Sequence, residues 1–301
     1  MKKYNVCISF ISSREKCLKK SLESLYKFYN CKHDYPVYVH YFDDIYDSEE
    51  YTDEIHSNIS ENIHFRSIPY KTPSFIDEKD IFYNHNELDY VKKGNFTKKR
   101  KGYLHMCNFM INMYGHPNTE FENFDYVMTN DDEAGWVKEV TQDPFDIMAQ
   151  LPDQFGALKT SQRLKDGAPH QGHFDTRVGL WKFTKNFIKE NNIEPKNKLL
   201  CDLLDNPDAE KQFHYLPWSD SYVIKMDIFR TDLWQKWIAA INANGGVYKY
   251  RWGDNEIYSL FYMMYNKDSV YNLALVDKGY HNQGLFRSYQ DYAPSIKNID
   301  R

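Results

Sequence analysis

The chain has 301 residues, with 38 Lys and Arg against 43 Asp and Glu, for a formal net charge of −5. This acidic balance argues against a general nucleic-acid binder, and 42% hydrophobic with 27% charged residues excludes a mainly disordered chain. No run approaches the roughly 20 apolar residues of a membrane-spanning helix. The 17% aromatic content is high and suits stacking on sugars or bases, although most aromatic residues in any protein fill the core.

The N-terminal residues favour a first strand over a secretion signal. Polar residues interrupt the short apolar run from Tyr4 to Phe10, and Arg14-Glu15-Lys16 ends it. The five cysteines are odd in number and include no Cys-x-x-Cys pair, which argues against a disulfide framework or a zinc site. Reduced thiols in a cytosol-like compartment fit this pattern, so we expect a soluble or cytoplasmic protein.

The first predicted elements are a strand, a helix and a second strand. Residues 4–11 are typical of a buried strand, and the helix is predicted to begin with a capping box formed by Ser12 and Glu15. Apolar residues recur at helical spacing to about Asn30, and Tyr35–Phe42 is β-branched and aromatic. This order implies a parallel sheet, in which ligands bind at the carboxyl ends of the strands.

The later elements are less regular. Residues 45–96 are polar and carry no clear assignment, while a helix is predicted over 98–114 and a strand over 124–128. Further helices are predicted around residues 176–192, 232–243 and 255–266, the last from its core-facing apolar stripe. No internal repeat or Gly/Ser linker interrupts the chain, so we expect residues 1–301 to form one α/β domain.

The acidic run Asp131-Asp132-Glu133 directly follows the predicted apolar strand. Carboxylates at the carboxyl end of a strand can hold a hard divalent cation that binds diphosphate oxygens. In a sugar-nucleotide enzyme such a cation stabilises the departing nucleoside diphosphate, so Asp131 and Glu133 are candidate metal ligands. The alternative is an acidic turn or a helix start, where Asp is favoured in any case.

Other candidate residues carry weaker signals. Asp254 precedes a predicted helix and is either a functional acid or an N-cap. His281 is a lone histidine in a predicted loop, and the basic run Lys98-Lys99-Arg100-Lys101 either attracts phosphates or forms a solvated helix face. The chain has no Walker A loop, dinucleotide fingerprint or nucleophile elbow, which argues against the common nucleotide-binding and serine-hydrolase classes.

Four segments together resemble glycosyltransferase family fifteen, the fungal glycolipid 2-α-mannosyltransferases. Tyr103-Leu104-His105-Met106-Cys107-Asn108-Phe109 is similar to the family's Tyr-Arg-His-Met-Cys-Arg-Phe, and residues 125–133 lie where the family has a strand ending in Glu-Pro-Asp. Residues 218–230 match its Trp-Ser-Asn and Asp-Phe-Arg. Residues 245–281 match its Gly-Gly, Arg-Trp-Gly-Asp and Gly-Tyr-His. Each motif is weak alone, but their ordered combination, from about residue 97 onward, is specific.

The resemblance implies a GT-A-like, Rossmann-like nucleotide-sugar-binding fold with a mainly parallel mixed sheet flanked by helices. It also implies retaining transfer of mannose from GDP-mannose with Mn²⁺. Asp131 falls on the family's metal-binding glutamate and His281 on the second protein ligand of the manganese, and both residue types suit Mn²⁺. Tyr103 falls on a tyrosine near the donor diphosphate, and the matched Arg251-Trp252 pair is assigned to donor binding with it.

The candidate catalytic residues are Asp254, Asp220 and Tyr222. Asp254 falls on an acid required for activity in the family, where it supports the developing oxocarbenium ion or holds the geometry of the site. Two family glutamates are replaced here by Tyr222 and Tyr250. A double displacement needs a carboxylate beneath the anomeric carbon, which Asp220 or Glu256 could supply, whereas a front-face transfer needs none.

We therefore expect a metal-dependent retaining glycosyltransferase that acts on a nucleotide-sugar donor and a glycan or glycoprotein acceptor, with GDP-mannose first among the donors. One alternative keeps the fold but uses a UDP-sugar. Another is a glycan- or nucleotide-sugar-binding protein without turnover, which the two replaced glutamates leave open. The chain looks like a catalytic domain without the membrane anchor of its Golgi-luminal relatives.

Overall fold

The described elements begin as alternating strands and helices, and three consecutive α-helices follow the seventh strand. The computed structural model describes residues 4–42, 49–69, 71–81, 101–114, 119–151, 155–157, 178–206, 221–266, 271–273 and 280–281. The strands are β1 Val6–Ile11, β2 Val37–Phe42, β3 Ile63–Ile68, β4 Tyr126–Asp131, β5 Gly135–Trp136, β6 Phe155–Ala157, β7 Ser221–Lys225, β8 Tyr271–Asn272 and β9 Tyr280–His281. The α-helices are α1 Glu15–Phe28, α2 Glu49–Asn58, α3 Lys101–Met113, α4 Pro144–Gln150, α5 Leu180–Glu190, α6 Lys198–Leu204, α7 Asp232–Asn244, α8 Gly246–Tyr250 and α9 Asp254–Tyr265. Short 3₁₀ turns cover Asn30–Lys32, Glu78–Asp80 and Met226–Arg230.

A seven-stranded mixed sheet runs in the order β3-β2-β1-β4-β7-β6-β8. The strand β1 is parallel to β2 and β4, and β2 is parallel to β3, so the predicted parallel opening is confirmed. The strand β7 is antiparallel to both β4 and β6. Ile11 is in register with His40 on one side and Asp131 on the other, so these three residues mark one edge of the sheet, at the carboxyl ends of the strands.

Hydrophobic cores lie on both faces of this sheet. Successive strand residues point to opposite faces, and Cys7 and Val127 join a core with α3, α7 and α9, whereas Ile8 and Met128 join a core with α1 and α4. Burial on both sides explains the continuous apolar character of β1. The largest fully buried side chains are all aromatic, so much of the high aromatic content fills these cores.

The later helices lie where their apolar stripes predict them. The predictions for residues 98–114, 176–192, 232–243 and 255–266 are confirmed as α3, α5, α7 and α9. Thr231 caps α7 by accepting a hydrogen bond from the backbone N–H of Trp234 at 3.2 Å. Gly245 ends α7 with a left-handed φ of 72°. Among the described helices, none has the length and apolar character needed to cross a membrane.

The predicted start of α1 was wrong. The helix begins after Arg14, which is the N-cap and whose side chain does not cap it, so Ser12 lies two residues before the cap position. Ser12 instead donates its hydroxyl hydrogen bond to Asp132 at 2.6 Å. The residue before α9 also differs from the N-cap interpretation, because Gly253 is the N-cap and Asp254 is the first helical residue.

In the described part of the unassigned region, the regular elements are α2, β3 and the 3₁₀ turn Glu78–Asp80. Helix α2 buries only Ile55, so its sequence lacks the apolar stripe that predicts a helix. Strand β3 is paired with β2 and fully buries only Ile63. Neither α2 nor β3 therefore carries an apolar pattern strong enough to predict it from the sequence.

Candidate active site

One arginine ties the acidic run at the end of β4 to the loop between β1 and α1. Arg14 forms ion pairs with Asp132 and Glu133, and its Nη2 lies 3.4 Å from Oδ1 of Asp131. The hydroxyl of Ser12 donates to the second oxygen of Asp132 at 2.6 Å. Asp132 is therefore held from both sides, and the acidic run is fixed against the first strand.

The three carboxylates differ in exposure. The side chains of Asp132 and Glu133 are 2% and 6% exposed, whereas that of Asp131 is 34% exposed. Burial lowers the pKa of Arg14, but the charge and hydrogen bond of Asp132 and the charges of its neighbours raise the pKa above its ordinary value, so Arg14 stays cationic. Asp132 and Glu133 thus offset this partly buried cation, and Asp131 is the most exposed carboxylate of the run.

The short strand β9 brings His281 to the same loop. It pairs antiparallel with β5, with His281 opposite Gly135 and Tyr280 opposite Trp136. Since Gly135 follows Glu133 by only two residues, the backbone of His281 lies beside the segment that continues from Asp131. Two of the three predicted metal ligands, Asp131 and His281, which are distant in sequence, therefore belong to neighbouring parts of the fold.

The described side chains do not form a complete cation site by themselves. Within the described ranges no group of three or more His, Cys, Asp or Glu side chains is arranged to hold a metal ion. Glu133, the other predicted ligand, is ion-paired with Arg14. A metal site here would need ligands beyond the described side chains, and the carboxylate and imidazole donors that the sequence predicts both suit Mn²⁺.

A second group of predicted residues meets where α3 and α9 begin. The guanidinium carbon of Arg251 lies 5.0 Å from the ring centroid of Tyr103, a cation–π distance. The thiol of Cys107 donates to Oδ1 of Asp254 at 3.4 Å. Arg251 and Asp254 are only 5% and 8% exposed, so the fold holds a cation and a carboxylate in one largely dry cluster, the Tyr103 cluster, made of these four residues.

The Tyr103 cluster lies toward the same edge of the sheet as the acidic run. The ring of His105, one turn into α3, is 6.1 Å from that of Phe42, the last residue of β2. His105 Nδ1 also lies 3.1 Å from the hydroxyl of Tyr248 in α8. These contacts place the start of α3 at the carboxyl ends of the strands, where Asp131 ends β4.

The phenol of Tyr103 and the thiol of Cys107 hold their protons at neutral pH. The neighbouring Cys107, burial and the charges of Asp254 and Glu256 raise the pKa of Tyr103 well above its ordinary value, against the opposing charge of Arg251. Burial and Asp254 likewise raise the pKa of Cys107. Tyr103 therefore offers a phenol O–H that can donate to an anionic oxygen.

Trp252, predicted to bind the donor, is a packed core residue. It is 1% exposed and donates its indole N–H to the carbonyl of Val178 at 2.8 Å. Its ring fills the space where a Cβ on Gly246 would be. The preceding Arg251 takes a left-handed φ of 58°, an uncommon conformation outside glycine that surrounding contacts must hold in place.

The remaining predicted catalytic residues have different positions. Tyr222 lies on β7, is 2% exposed and packs its ring 4.8 Å from that of Phe155. Asp220 lies outside the described residues. Glu256 is 4% exposed, and its carboxylate covers the Cα of Gly253. It is the third residue of α9, the position from which a glutamate side chain commonly reaches back to the N-cap residue. Asp254 is therefore the predicted catalytic acid that the structure places beside Tyr103.

Sequence reasoning missed Arg14 and the role of Ser12. Both follow β1 at the edge where ligands bind in parallel sheets, and this is the one sequence signal that could have singled them out. Their partner Asp132 is too far along the chain for any local pattern to reveal the contact.

The family is decided by comparison of the whole chain. The model of the glycolipid 2-alpha-mannosyltransferase family matches residues 1–293. The chain belongs to this family of glycosyltransferases. The match confirms the resemblance carried by the sequence motifs and extends it to the N-terminal residues.

Curated relatives are fungal mannosyltransferases. The O-glycoside alpha-1,2-mannosyltransferase omh1 of Schizosaccharomyces pombe is 23% identical over 265 residues, which cover 84% of this chain and 63% of omh1. The probable mannosyltransferase KTR4 of Saccharomyces cerevisiae is 24% identical over 87% of this chain and 56% of its own length. The chain thus spans less than two thirds of each of these relatives.

Solved structures show the same fold. The mannosyltransferase Ktr4p from S. cerevisiae in complex with GDP gives a TM-score of 0.74 at 22% identity, covering 93% of this chain and 71% of that one. Core-mannan synthase A from Aspergillus fumigatus in its Mn/GDP form gives a TM-score of 0.68 at 20% identity. The match covers 87% of this chain and 70% of that one. The expected GT-A-like fold is confirmed.

Proposed function

We propose that this chain is a metal-dependent retaining glycosyltransferase that transfers mannose from GDP-mannose to a hydroxyl group of a glycan. Its family and the mannosyltransferase names of its relatives support the reaction class. The GDP and Mn/GDP forms of the related structures support the donor and the metal. The observation that carries the proposal is the arrangement of Asp131, the backbone of His281 and the Tyr103 cluster along one edge of the sheet.

Asp131 and His281 would hold the divalent cation. When bound, such a cation neutralises diphosphate oxygens and stabilises the departing nucleoside diphosphate. Arg14 keeps Asp132 and Glu133 folded inward, which leaves Asp131 as the carboxylate at the surface of the acidic run. This division of roles makes the loop both rigid and able to bind one cation.

The Tyr103 cluster would bind and polarise the donor. The protonated phenol of Tyr103 donates a hydrogen bond to a diphosphate oxygen, and Arg251, stacked against the same ring, adds positive charge at close range. Both groups are preorganised by burial, which strengthens their interaction with developing negative charge. The cluster therefore favours the state in which the diphosphate departs.

We propose front-face transfer rather than a covalent intermediate. The bond between the anomeric carbon and the diphosphate oxygen breaks while the acceptor oxygen bonds to the same face of that carbon, and the proton of the acceptor hydroxyl passes to the diphosphate. Asp254 supplies negative charge to the oxocarbenium-like transition state. Two positions that carry glutamate in the resembled family are Tyr222 and Tyr250 here, which supports a mechanism without a carboxylate nucleophile.

The test is donor turnover across a panel of GDP- and UDP-sugars, with and without Mn²⁺, followed by NMR of the product anomer. We expect Mn²⁺-dependent turnover of GDP-mannose with an α-linked product. Turnover of a UDP-sugar alone would contradict the donor assignment, and a β-linked product would contradict retention.

A second candidate function is a nucleotide-sugar-binding protein without turnover. The same two tyrosines favour it, because a site that has lost carboxylates can keep its ligand while losing its reaction. Saturable binding of GDP-mannose and Mn²⁺ without any hydrolysis or transfer would support this candidate instead.

A further inference from the structure

A cavity of about 340 Å³ lies beside the proposed active site, over the outer strands of the sheet. Its walls come from β2, β3, α3 and the segment before β4, and they include His40, Arg66, Phe109, Met113, Glu120 and Phe121. A volume of this size is within the range of small-molecule sites. None of these residues belongs to the acidic run or to the Tyr103 cluster.

A buried histidine orients a carboxylate in this cavity. His40 Nε2 is hydrogen-bonded to Oε1 of Glu120, and the side chains of His40 and Glu120 are 4% and 25% exposed. Burial raises the pKa of Glu120, but the hydrogen bond and charge of His40 together with the charge of Arg66 bring it below its ordinary value. Glu120 is therefore ionised at neutral pH, and its second oxygen can accept a hydrogen bond from a ligand.

Arg66 supplies the complementary donors. Its guanidinium lies over the ring of Tyr38 at 5.6 Å, and its Nη1 donates to the carbonyl of Phe65 at 3.0 Å. A guanidinium carries five N–H donors, so this anchoring leaves donors for a ligand. The cavity thus presents an oriented anion and an oriented cation to the same small molecule.

The aromatic walls favour a saccharide over a nucleobase. Phe121 is 1% exposed and packs 5.5 Å from the ring of His40, while Phe109 lies 5.0 Å from the same ring. Both rings pack against His40, and Phe121 is almost fully covered, so it offers no open face on which a flat base could stack. A pyranose instead needs hydroxyl partners of both polarities and a compact apolar wall, which the cavity offers.

The cavity has a defined position relative to the proposed metal ligand. His40 and Asp131 flank Ile11 in register on either side, so their Cα atoms are separated by two strand spacings, or roughly 10 Å. A sugar chain that enters over β2 would therefore approach the edge where transfer is proposed.

We infer that this cavity is a saccharide subsite that binds a pyranose ring of the acceptor glycan through Glu120 and Arg66. The inference rests on the proposed function for the identity of the glycan as a mannoside. This subsite is separate from the proposed donor and metal sites. A substitution in it should therefore weaken binding of the acceptor without weakening binding of the donor.

The experiment measures binding of α-1,2-mannobiose to the full chain by calorimetry or ligand-observed NMR, without metal or nucleotide. We expect Glu120→Gln and Arg66→Met to weaken this binding at least tenfold, while binding of GDP with Mn²⁺ is unchanged. The Glu120→Gln change keeps the oxygen that His40 engages, and Arg66 is exposed, so both variants are expected to fold. Lys198→Met, which alters an exposed ion pair on α6, is the matched control and should bind mannobiose as the unaltered chain does.

The outcomes separate this inference from the proposed function. Unchanged mannobiose binding in both variants, or no saturable binding in the unaltered chain, would overturn the subsite. Displacement of mannobiose by GDP alone would also overturn it, because the cavity would then belong to the donor. Absence of turnover with intact, Glu120-dependent mannobiose binding would instead count against the proposed function and leave the subsite standing.

Discussion

Arg14 forms an ion pair with Asp132 across 118 residues of sequence, and this contact joins the first strand of the sheet to the acidic run. The same guanidinium engages Glu133. Because breaking a buried ion pair leaves an uncompensated charge, the stability of the proposed metal loop depends on a residue that is not itself a proposed ligand.

The first prediction concerns that arginine. Arg14→Met should lower the free energy of unfolding by about 3–5 kcal/mol, since Asp132 and Glu133 would stay buried without their cation. Urea unfolding followed by circular dichroism measures this loss. Arg14→Lys keeps the charge but cannot form the forked pair. Its free energy of unfolding should therefore lie between those of the unaltered chain and Arg14→Met. Lys198→Met removes an exposed ion pair and should change little. A Met variant as stable as the unaltered chain would show that the pair is dispensable.

The second prediction separates the carboxylates of the acidic run. Asp131→Asn should weaken binding of Mn²⁺ in the presence of GDP at least tenfold with little effect on stability, because this side chain is 34% exposed. Glu133→Gln should lower the stability and leave the affinity for Mn²⁺ nearly unchanged, since Glu133 is paired with Arg14. Manganese titration by electron paramagnetic resonance, with urea unfolding in parallel, measures both quantities. Loss of affinity in Glu133→Gln alone would assign the metal to Glu133, as the sequence also allowed.

The third prediction concerns the phenol of Tyr103. Tyr103→Phe removes one hydrogen-bond donor from a group that stays protonated at neutral pH. We expect GDP binding to weaken about tenfold, which corresponds to roughly 1.4 kcal/mol, with the fold intact. Tyr250→Phe, at an exposed tyrosine near the same cluster, is the control and should leave GDP affinity unchanged. Equal affinity in both variants would remove Tyr103 from the donor site.

The fourth prediction concerns Gly246, the second of the two adjacent glycines that precede Arg251. A Cβ on Gly246 would overlap the indole of Trp252, which is 1% exposed and cannot move outward. Gly246→Ala should therefore destabilise the fold by about 1–3 kcal/mol. In a Trp252→Leu background the same change should cost much less, and this coupling can be measured in a double-mutant cycle. Additive effects would show that the two residues do not meet in solution.

Sequence patterns predicted the elements that bury many apolar residues, and they failed where few residues are buried or where a polar partner is distant in sequence. Helix α9 was predicted from its apolar residues, although it is buried on almost every side rather than along one stripe, whereas α2 buries only Ile55 and was missed. The motif residues Tyr103 and Asp254 were singled out by resemblance, and the fold brings them together around Cys107. Ser12 was misassigned to a helix cap because its partner Asp132 arrives from another strand.

The last prediction uses the lowered pKa of Glu120. An acid whose folded pKa lies below its ordinary value of 4.5 binds fewer protons when folded than when unfolded. The stability that it contributes is therefore complete above pH 4.5 and is lost as the pH falls through the folded pKa. Urea unfolding from neutral pH down to about pH 3 should show a loss of stability in the unaltered chain that is smaller in Glu120→Gln, which has no proton to gain. The two curves should converge at the acidic end, because protonated Glu120 and the amide that replaces it in the variant are both neutral. Parallel curves over the whole range would show that the hydrogen bond between His40 and Glu120 does not lower this pKa in solution.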